Sequence, residues 1–262
     1  MGVALSDGTV RIYYEVHGSG PAIALVHGSG GHHAAWWQQV AALRDRYTLV
    51  TLDLRGFGNS DSSMPEFDGQ DFPGDIVAVL EDAGLSDVLV FGQSIGAVAA
   101  LRAGLARPDL VGGVALGHSL GGIDHPELTP LVAADRAEAV KLPVIDRLLS
   151  KDFQESQAAL TFLFQQQGTF NVATMADLRN LTTGGPTIED VVAAGLDVTF
   201  VAGERDAVIS PATVRRAHEL VKDSHLELIP GAPHSMYWER PDLFNAALAR
   251  IRERLSAKKV RS

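Results

Sequence analysis

Gly92-Gln93-Ser94-Ile95-Gly96 is a G-x-S-x-G pattern lodged between two contrasting segments. Before it runs Val88-Leu89-Val90-Phe91, four apolar residues that read as a buried strand. After it comes Ala97-Val98-Ala99-Ala100-Leu101-Arg102, a good helix former. A sharp turn at that junction strains the serine backbone, and the flanking glycines let strand and helix approach closely. The Ser94 hydroxyl then stands at the mouth of a sheet, over the positive end of the helix dipole. That placement suits a nucleophile. A serine hydroxyl is weak near neutral pH, so it needs an imidazole to take its proton and a carboxylate to fix the imidazole's tautomer and charge.

The chain offers both partners. Asp206 follows the apolar run Val198–Ala202, and His234 follows Leu226–Ile229, so each stands just past a buried strand, on the rim where open α/β sheets bind ligands. Glu204 competes with Asp206, and Asp124 is a second alternative acid. Among nine histidines, His32, His33 and His118 also lie near the predicted mouth, but only His234 follows the last strand. A glycine-rich stretch, His27-Gly28-Ser29-Gly30-Gly31, ends another short strand and can turn backbone N–H groups toward a developing oxyanion; its alternative is a plain strand-to-helix loop. Gly117-His118-Ser119-Leu120-Gly121 repeats G-x-S-x-G, yet Gly121, Gly122, Pro126 and Pro130 prevent a regular helix from following. Ser119 is therefore expected to be a loop residue, and Ser94 the elbow.

These residues must be held by a sheet. Strand readings at Thr9–Val16, Ala22–Val26, Tyr47–Leu52, Val88–Phe91, Val111–Leu116, Leu196–Ala202 and Leu226–Ile229 alternate with helical readings. The helices include segments near Trp36–Val40, at Asp71–Ala83, along 95–106 and 211–222, and at Pro241–Leu255. Such alternation predicts a mostly parallel, doubly wound sheet covered on both faces. The rhythm breaks over 122–194. That span, about seventy residues, is too long for an unstructured loop, and Leu128–Val140, Leu142–Leu149, Phe153–Gln167 and Val172–Leu181 are read as helices without a clear strand. It is expected to be a helical cap inserted in a core of 1–121 and 195–262. Leu142, Phe153, Leu160, Phe162, Phe164 and Phe170 could line a pocket beneath it, although most must pack the cap on the body. Trp36 is a packing residue or a binding platform.

Composition excludes other classes. The 262 residues fit one α/β domain, and 46% apolar content supports an ample core. A net charge of −10 argues against a nucleic-acid surface, and the one basic cluster, Lys258-Lys259-Val260-Arg261, reads as a solvated tail. With no cysteine there is neither a disulfide nor a thiolate nucleophile. No apolar run is long enough to span a membrane, and no signal peptide is visible, so a cytoplasmic protein is expected. Gly56-x-Gly58 lacks the third glycine of a dinucleotide fingerprint. No metal-ligand spacing occurs, and adjacent His32 and His33 cannot point the same way in a regular element. The expectation is no metal, no cofactor, and a small-molecule substrate as the partner, with the oligomeric state left open. Asp53 and Arg55 are expected to stabilise their own loop.

Four motifs in order make the chain resemble an α/β-hydrolase-fold enzyme with a helical cap: His27–Gly31, Asp53-Leu54-Arg55-Gly56-Phe57-Gly58-Asn59-Ser60, Gly92–Gly96, and Gly203-Glu204-Arg205-Asp206 with Gly231-Ala232-Pro233-His234. The likeness spans nearly the whole chain. It implies Ser94 as nucleophile, His234 as base and Asp206 as its acid, in the chain order of that family. It also implies an oxyanion hole from the N–H groups of Ser29 and Ile95, with Gly30 the alternative to Ser29. His27, Trp36, His118, Ser119 and Phe162 are the candidate pocket residues. Serine at the elbow separates the chain from relatives that use aspartate there, the haloalkane dehalogenases and epoxide hydrolases. The glycine loop lacks the proline of proline iminopeptidases. The reading is a hydrolase of a small, largely hydrophobic carboxylic ester or lactone, acting through an acyl-serine. The alternatives are a carbon–carbon bond hydrolase of vinylogous diketones, a cofactor-free haloperoxidase or perhydrolase, and a ligand receptor that retains the triad.

Overall fold

The computed structural model describes residues 1–260, with side chains through 258. The tail reading at Lys258–Arg261 therefore lies largely outside the described residues; Lys258 itself sits 3.3 Å from Asp197 Oδ2.

Eight strands form the main sheet: β1 (Gly2–Ser6), β2 (Val10–His17), β3 (Ala22–Val26), β4 (Thr48–Leu52), β6 (Val88–Gln93), β7 (Val111–Gly117), β9 (Asp197–Gly203) and β10 (His225–Ile229). The two remaining strands, β5 (Phe67–Asp68) and β8 (Leu178–Arg179), pair only with each other. Across the main sheet the order is β1-β2-β4-β3-β6-β7-β9-β10. β2 runs antiparallel to both β1 and β4, and every other pairing is parallel. The expected α/β fold with a mostly parallel sheet is what the chain adopts.

Side-chain alternation dresses both faces. Ala22, Ala24, Val26, Val88 and Val90 enter one core with Ile76, Leu80, Leu101 and Val214, from α2 (Phe72–Asp82), α3 (Ile95–Ala106) and α9 (Pro211–Leu220). Ile23, Leu25, Leu89 and Phe91 enter the opposite core with Trp36, Trp238 and Phe244. That side is covered by α1 (Trp37–Leu43), α10 (Met236–Glu239) and α11 (Pro241–Val260). A period of two feeding two apolar layers is the physical signature of a sheet buried on both sides. Helix ends carry the expected signals. Ser210 accepts from the Thr213 N–H at the start of α9, where Pro211 fits the first turn, and Gly84 with φ 64° follows α2.

Between β7 and β9 lie α4 (Leu128–Ala139), α5 (Val144–Leu148), α6 (Lys151–Ser156), α7 (Ala158–Gln167) and α8 (Ile188–Ala193). The helix expected over Phe153–Gln167 is two helices broken at Gln157, where φ is −126° and ψ 52°. The helix expected over Val172–Leu181 is absent. Its backbone is spent on tertiary bonds: the N–H groups of Val172 and Ala173 both reach the Gly56 carbonyl, and β8 pairs with β5. Helix α8, which sequence reading missed, opens with a reciprocal Thr187–Asp190 capping box.

The register aligns the loops that carry the candidate residues. Val26 stands beside Gly92, Gln93 beside Gly117, Gly117 beside Val201, and Gly203 beside Ile229. The loops that leave β3, β6, β7, β9 and β10 therefore emerge along one edge of the sheet.

Candidate active site

Ser94 sits between β6 and α3 with φ 54° and ψ −110°, a conformation L-residues avoid. Crowding explains its flanks. A Cβ on Gly92 would collide with the Gly96 carbonyl, and one on Gly96 would stand 2.6 Å from the His27 carbonyl oxygen. The turn is locked to the next strand, since the Ser94 N–H donates to the Gly117 carbonyl at 2.8 Å. At the repeated motif the left-handed residue is His118 (φ 52°), not Ser119. Ser119 Oγ accepts the Gly121 N–H at 3.2 Å, and no helix begins before Leu128.

Asp206 is buried and meets His234 Nδ1 with both oxygens, at 3.0 and 3.1 Å. Burial alone would raise the Asp206 carboxyl. The imidazoles of His234 and His118 and the Val208 N–H outweigh it and hold the carboxyl below its ordinary value. The competing acids stand elsewhere: Glu204 is exposed and accepts the Gly231 N–H, and Asp124 is exposed. The histidine loop is fastened to the elbow through Gln93, whose Nε2 donates to the His234 carbonyl at 2.8 Å. Among the described residues no hydrogen bond joins Ser94 Oγ to His234.

The glycine loop backs onto the elbow: a Cβ on Gly28 would lie 3.4 Å from Gln93 and 3.5 Å from Ser94 Cβ. Its turn is closed by the Gly31 N–H to the Gly28 carbonyl at 3.0 Å, which leaves the N–H groups of Ser29 and Gly30 outside that bond. Ile95 is the first residue of α3, so its N–H has no partner within the helix.

The candidate pocket residues stand in different settings. His27 is buried, donating from Nδ1 to the Gly28 carbonyl and accepting the Leu54 N–H on Nε2 at 3.1 Å; burial pushes its imidazole down to about 4. Trp36 is fully buried, edge-on to Phe91 at 5.7 Å, so packing occupies its ring. His118 is buried with both ring nitrogens engaged. Phe162 is 63% exposed on α7. A cleft of about 400 Å³ between α4 and the loop after β9 reaches Asp206, Ala207 and Val208, but its lining includes neither Ser94 nor His234.

Asp53 and Arg55 build the neighbouring loop. Asp53 accepts the N–H groups of His33 and Asn59, and Arg55 lies in a buried ion pair with Asp75. Two clusters bring ligand-type atoms within 4.8 Å of one another, His32–His33–Asp53 and His118–Asp206–His234. In both, hydrogen bonds already occupy most of those atoms: His33 Nδ1 lies 2.8 Å from Asp53 Oδ2, and the Asp206–His234 pair is closed as above. Sequence reading missed Gln93 as a fastener of the histidine loop. It also missed Asn171, which bridges the glycine loop to the Asp53–Ser60 loop by donating to the Gly31 carbonyl and accepting the Gly58 N–H.

Residues 23–247 match the family model described as the alpha/beta hydrolase family. The chain belongs to that family. It is 25% identical to a putative non-heme chloroperoxidase of Synechocystis sp., over 93% of this chain and 95% of that protein. In structure it resembles a thermophilic esterase from Thermogutta terrifontis, with a TM-score of 0.79, 20% identity and 97% of each chain covered. It also resembles an enol-lactonase from Burkholderia xenovorans, with a TM-score of 0.76, 20% identity, and 95% of this chain and 99% of that one covered. Among the described residues no helix is long and apolar enough to cross a membrane.

Proposed function

We propose that this alpha/beta hydrolase cleaves a small, largely hydrophobic carboxylic ester or lactone through an acyl intermediate on Ser94. One observation carries the reading. A buried carboxylate grips the Nδ1 edge of His234, whose carbonyl is fastened to the residue preceding a serine in a strained turn.

The chemistry follows from that arrangement. Asp206 fixes the tautomer in which His234 carries its proton on Nδ1, leaving Nε2 free to take the proton of Ser94 Oγ as it attacks the acyl carbon. The resulting oxyanion is received by the N–H groups of Ile95 and of Ser29 or Gly30, each donor worth on the order of 10²–10³ in rate. His234 then gives its proton to the departing alkoxide and, in the second half-reaction, draws one from the water that frees the acid. Residues 1–121 and 195–262 serve as the core and 122–194 as the cap.

A phosphonate ester that labels activated serines tests the reading, with p-nitrophenyl esters of short acids and a set of lactones as substrates. A single adduct located on Ser94 by mass spectrometry, with multiple turnovers lost in Ser94→Ala by a factor on the order of 10⁶, is the expected result. An adduct on Ser119, or turnover unchanged in Ser94→Ala, would overturn it. A single slow burst without turnover would favour a receptor.

A further inference from the structure

We propose that His118 is a positioning residue for His234, acting by clamping the peptide bond that follows it; this rests on the hydrolase reading given above. His118 leaves the end of β7, and its own N–H continues the ladder to the Val201 carbonyl at 2.8 Å. Its ring then spans from the end of β9, which leads to the acid, to the loop that carries the base. On one side Nε2 lies 2.7 Å from the Gly203 N–H. A backbone N–H can only donate, so Nε2 is the acceptor and the ring proton sits on Nδ1. On the other side that Nδ1–H donates to the His234 carbonyl.

The same carbonyl accepts from Gln93 Nε2 at 2.8 Å. The N–H of that same peptide unit, on Ser235, donates to the Leu148 carbonyl of α5 at 3.0 Å. One peptide plane is thus held at both ends by three partners. Two come from the sheet edge, and the third from the segment between β7 and β9. A plane so held fixes the Cα of His234, and the imidazole needs that anchor to keep Nδ1 on Asp206 while Nε2 faces the serine. The preceding glycine, Gly231 with φ 62°, gives the loop a soft joint that the clamp must offset.

His118 is not a second base. Both its nitrogens are committed to backbone groups, and burial pushes its imidazole down to about 4, so it stays neutral with one fixed tautomer at working pH. It lies 3.6 Å from Asp206 Oδ2 and 4.9 Å, ring to ring, from His234, near enough to set their spacing.

The two hydrogen bonds can be separated by substitution. His118→Asn places an amide N–H about where Nδ1 stands, keeping the bond to His234 and losing the acceptor for Gly203. His118→Gln reaches to the Nε2 position, keeping the acceptor and losing the donor. In steady-state p-nitrophenyl ester hydrolysis, His118→Asn is expected to retain kcat within about threefold. His118→Gln should lose on the order of 10–100-fold in kcat with little change in KM, since a misplacement of about 1 Å can cost 10²-fold. Equal losses in the two variants that track their Tm values would overturn the proposal, as would full activity in His118→Gln.

A second measurement does not depend on catalysis. Nitrogen-15 spectra of histidine-labelled wild-type protein should report His118 as the neutral Nδ1–H tautomer. The His234 Nδ1 proton should exchange slowly in wild type and His118→Asn, and faster in His118→Gln. The Nε2–H tautomer at His118, or an unchanged His234 proton in His118→Gln, refutes the clamp. Absence of ester turnover in wild type with these spectra as expected would refute only the hydrolase reading.

Discussion

Both oxygens of the Asp206 carboxylate hold Nδ1 of His234, at 3.0 and 3.1 Å, across twenty-eight residues of chain. A carboxylate in that position accepts only, so it selects the imidazole tautomer and, in the proposed mechanism, would stabilise the cation formed when Nε2 takes a proton. An amide of the same shape does neither reliably. Asp206→Asn is therefore expected to lower kcat for ester hydrolysis by on the order of 10⁴, with the circular dichroism spectrum unchanged. Asp124→Asn, at an exposed site, should leave kcat within about twofold. The reverse ranking in initial rates would move the acid to Asp124.

Gly96 supports the elbow by having no side chain. A Cβ there would stand 2.6 Å from the His27 carbonyl oxygen and 2.7 Å from that of Val26, and neither backbone atom can retreat cheaply. Gly96→Ala is expected to destabilise by ~1–3 kcal/mol or more, lowering Tm by several degrees. Gly30→Ala is the comparison, because a Cβ there meets nothing within 4 Å and φ is not positive. Its Tm should match wild type within about a degree. Differential scanning calorimetry on the two variants decides the matter, and an unchanged Tm in Gly96→Ala would mean the turn can widen.

Arg55 is the buried cation of the loop beside the site. Its guanidinium meets both oxygens of Asp75, with Nη2–Oδ1 at 2.6 Å, and reaches Ser6, Asp7 and Asp71 as well. Removing Asp75 leaves the guanidinium only the solvent-facing carboxylates of Asp7 and Asp71 in place of its buried partner, a loss of up to about 3–5 kcal/mol. Asp75→Ala should show that loss in urea unfolding. Arg55→Lys should recover little of the wild-type stability, because an ammonium cannot reproduce the planar two-pronged contact. Stability within about 1 kcal/mol of wild type in Asp75→Ala would contradict this account.

Much of this was legible in the sequence because it rests on local signals. The apolar run before Gly92, the glycines around Ser94 and the strand-then-helix rhythm each depend on neighbours a few positions away. Asp206 and His234 stand out the same way, as polar residues just past buried strands, and the fold brings their side chains together. What escaped depends on distant chain. Val172, Met175, Leu178 and Leu181 have helical spacing, yet their segment bonds to Gly56 and pairs with β5. The break at Gln157 carries no proline or glycine to announce it. The ring of His118 finds its two partners on β9 and in the loop after β10, so no spacing within its own motif could show what it holds.

His33 supplies a pH test of the loop that follows the glycine turn. Its Nδ1 lies 2.9 and 2.8 Å from the two Asp53 oxygens, and its Nε2 is 3.9 Å from Glu15 Oε1. Burial alone would lower the His33 imidazole. The hydrogen bond to Asp53 and the charges of Asp53 and Glu15 prevail and raise it above its ordinary value. The folded protein thus binds that proton more tightly than the unfolded chain does. The resulting stabilisation is complete below the unfolded value of about 6.5 and is lost as pH rises through the higher folded value. Asp53 does not reverse the trend, since its carboxyl is held below the ordinary range and stays charged throughout that window. In urea unfolding, the gap between wild type and His33→Gln should be widest at about pH 5.5. It should narrow on the way to about pH 8.5 and level off above zero, because a neutral ring still donates its Nδ1–H to Asp53. A gap that widens with pH would mean that His33 enters the fold without its proton.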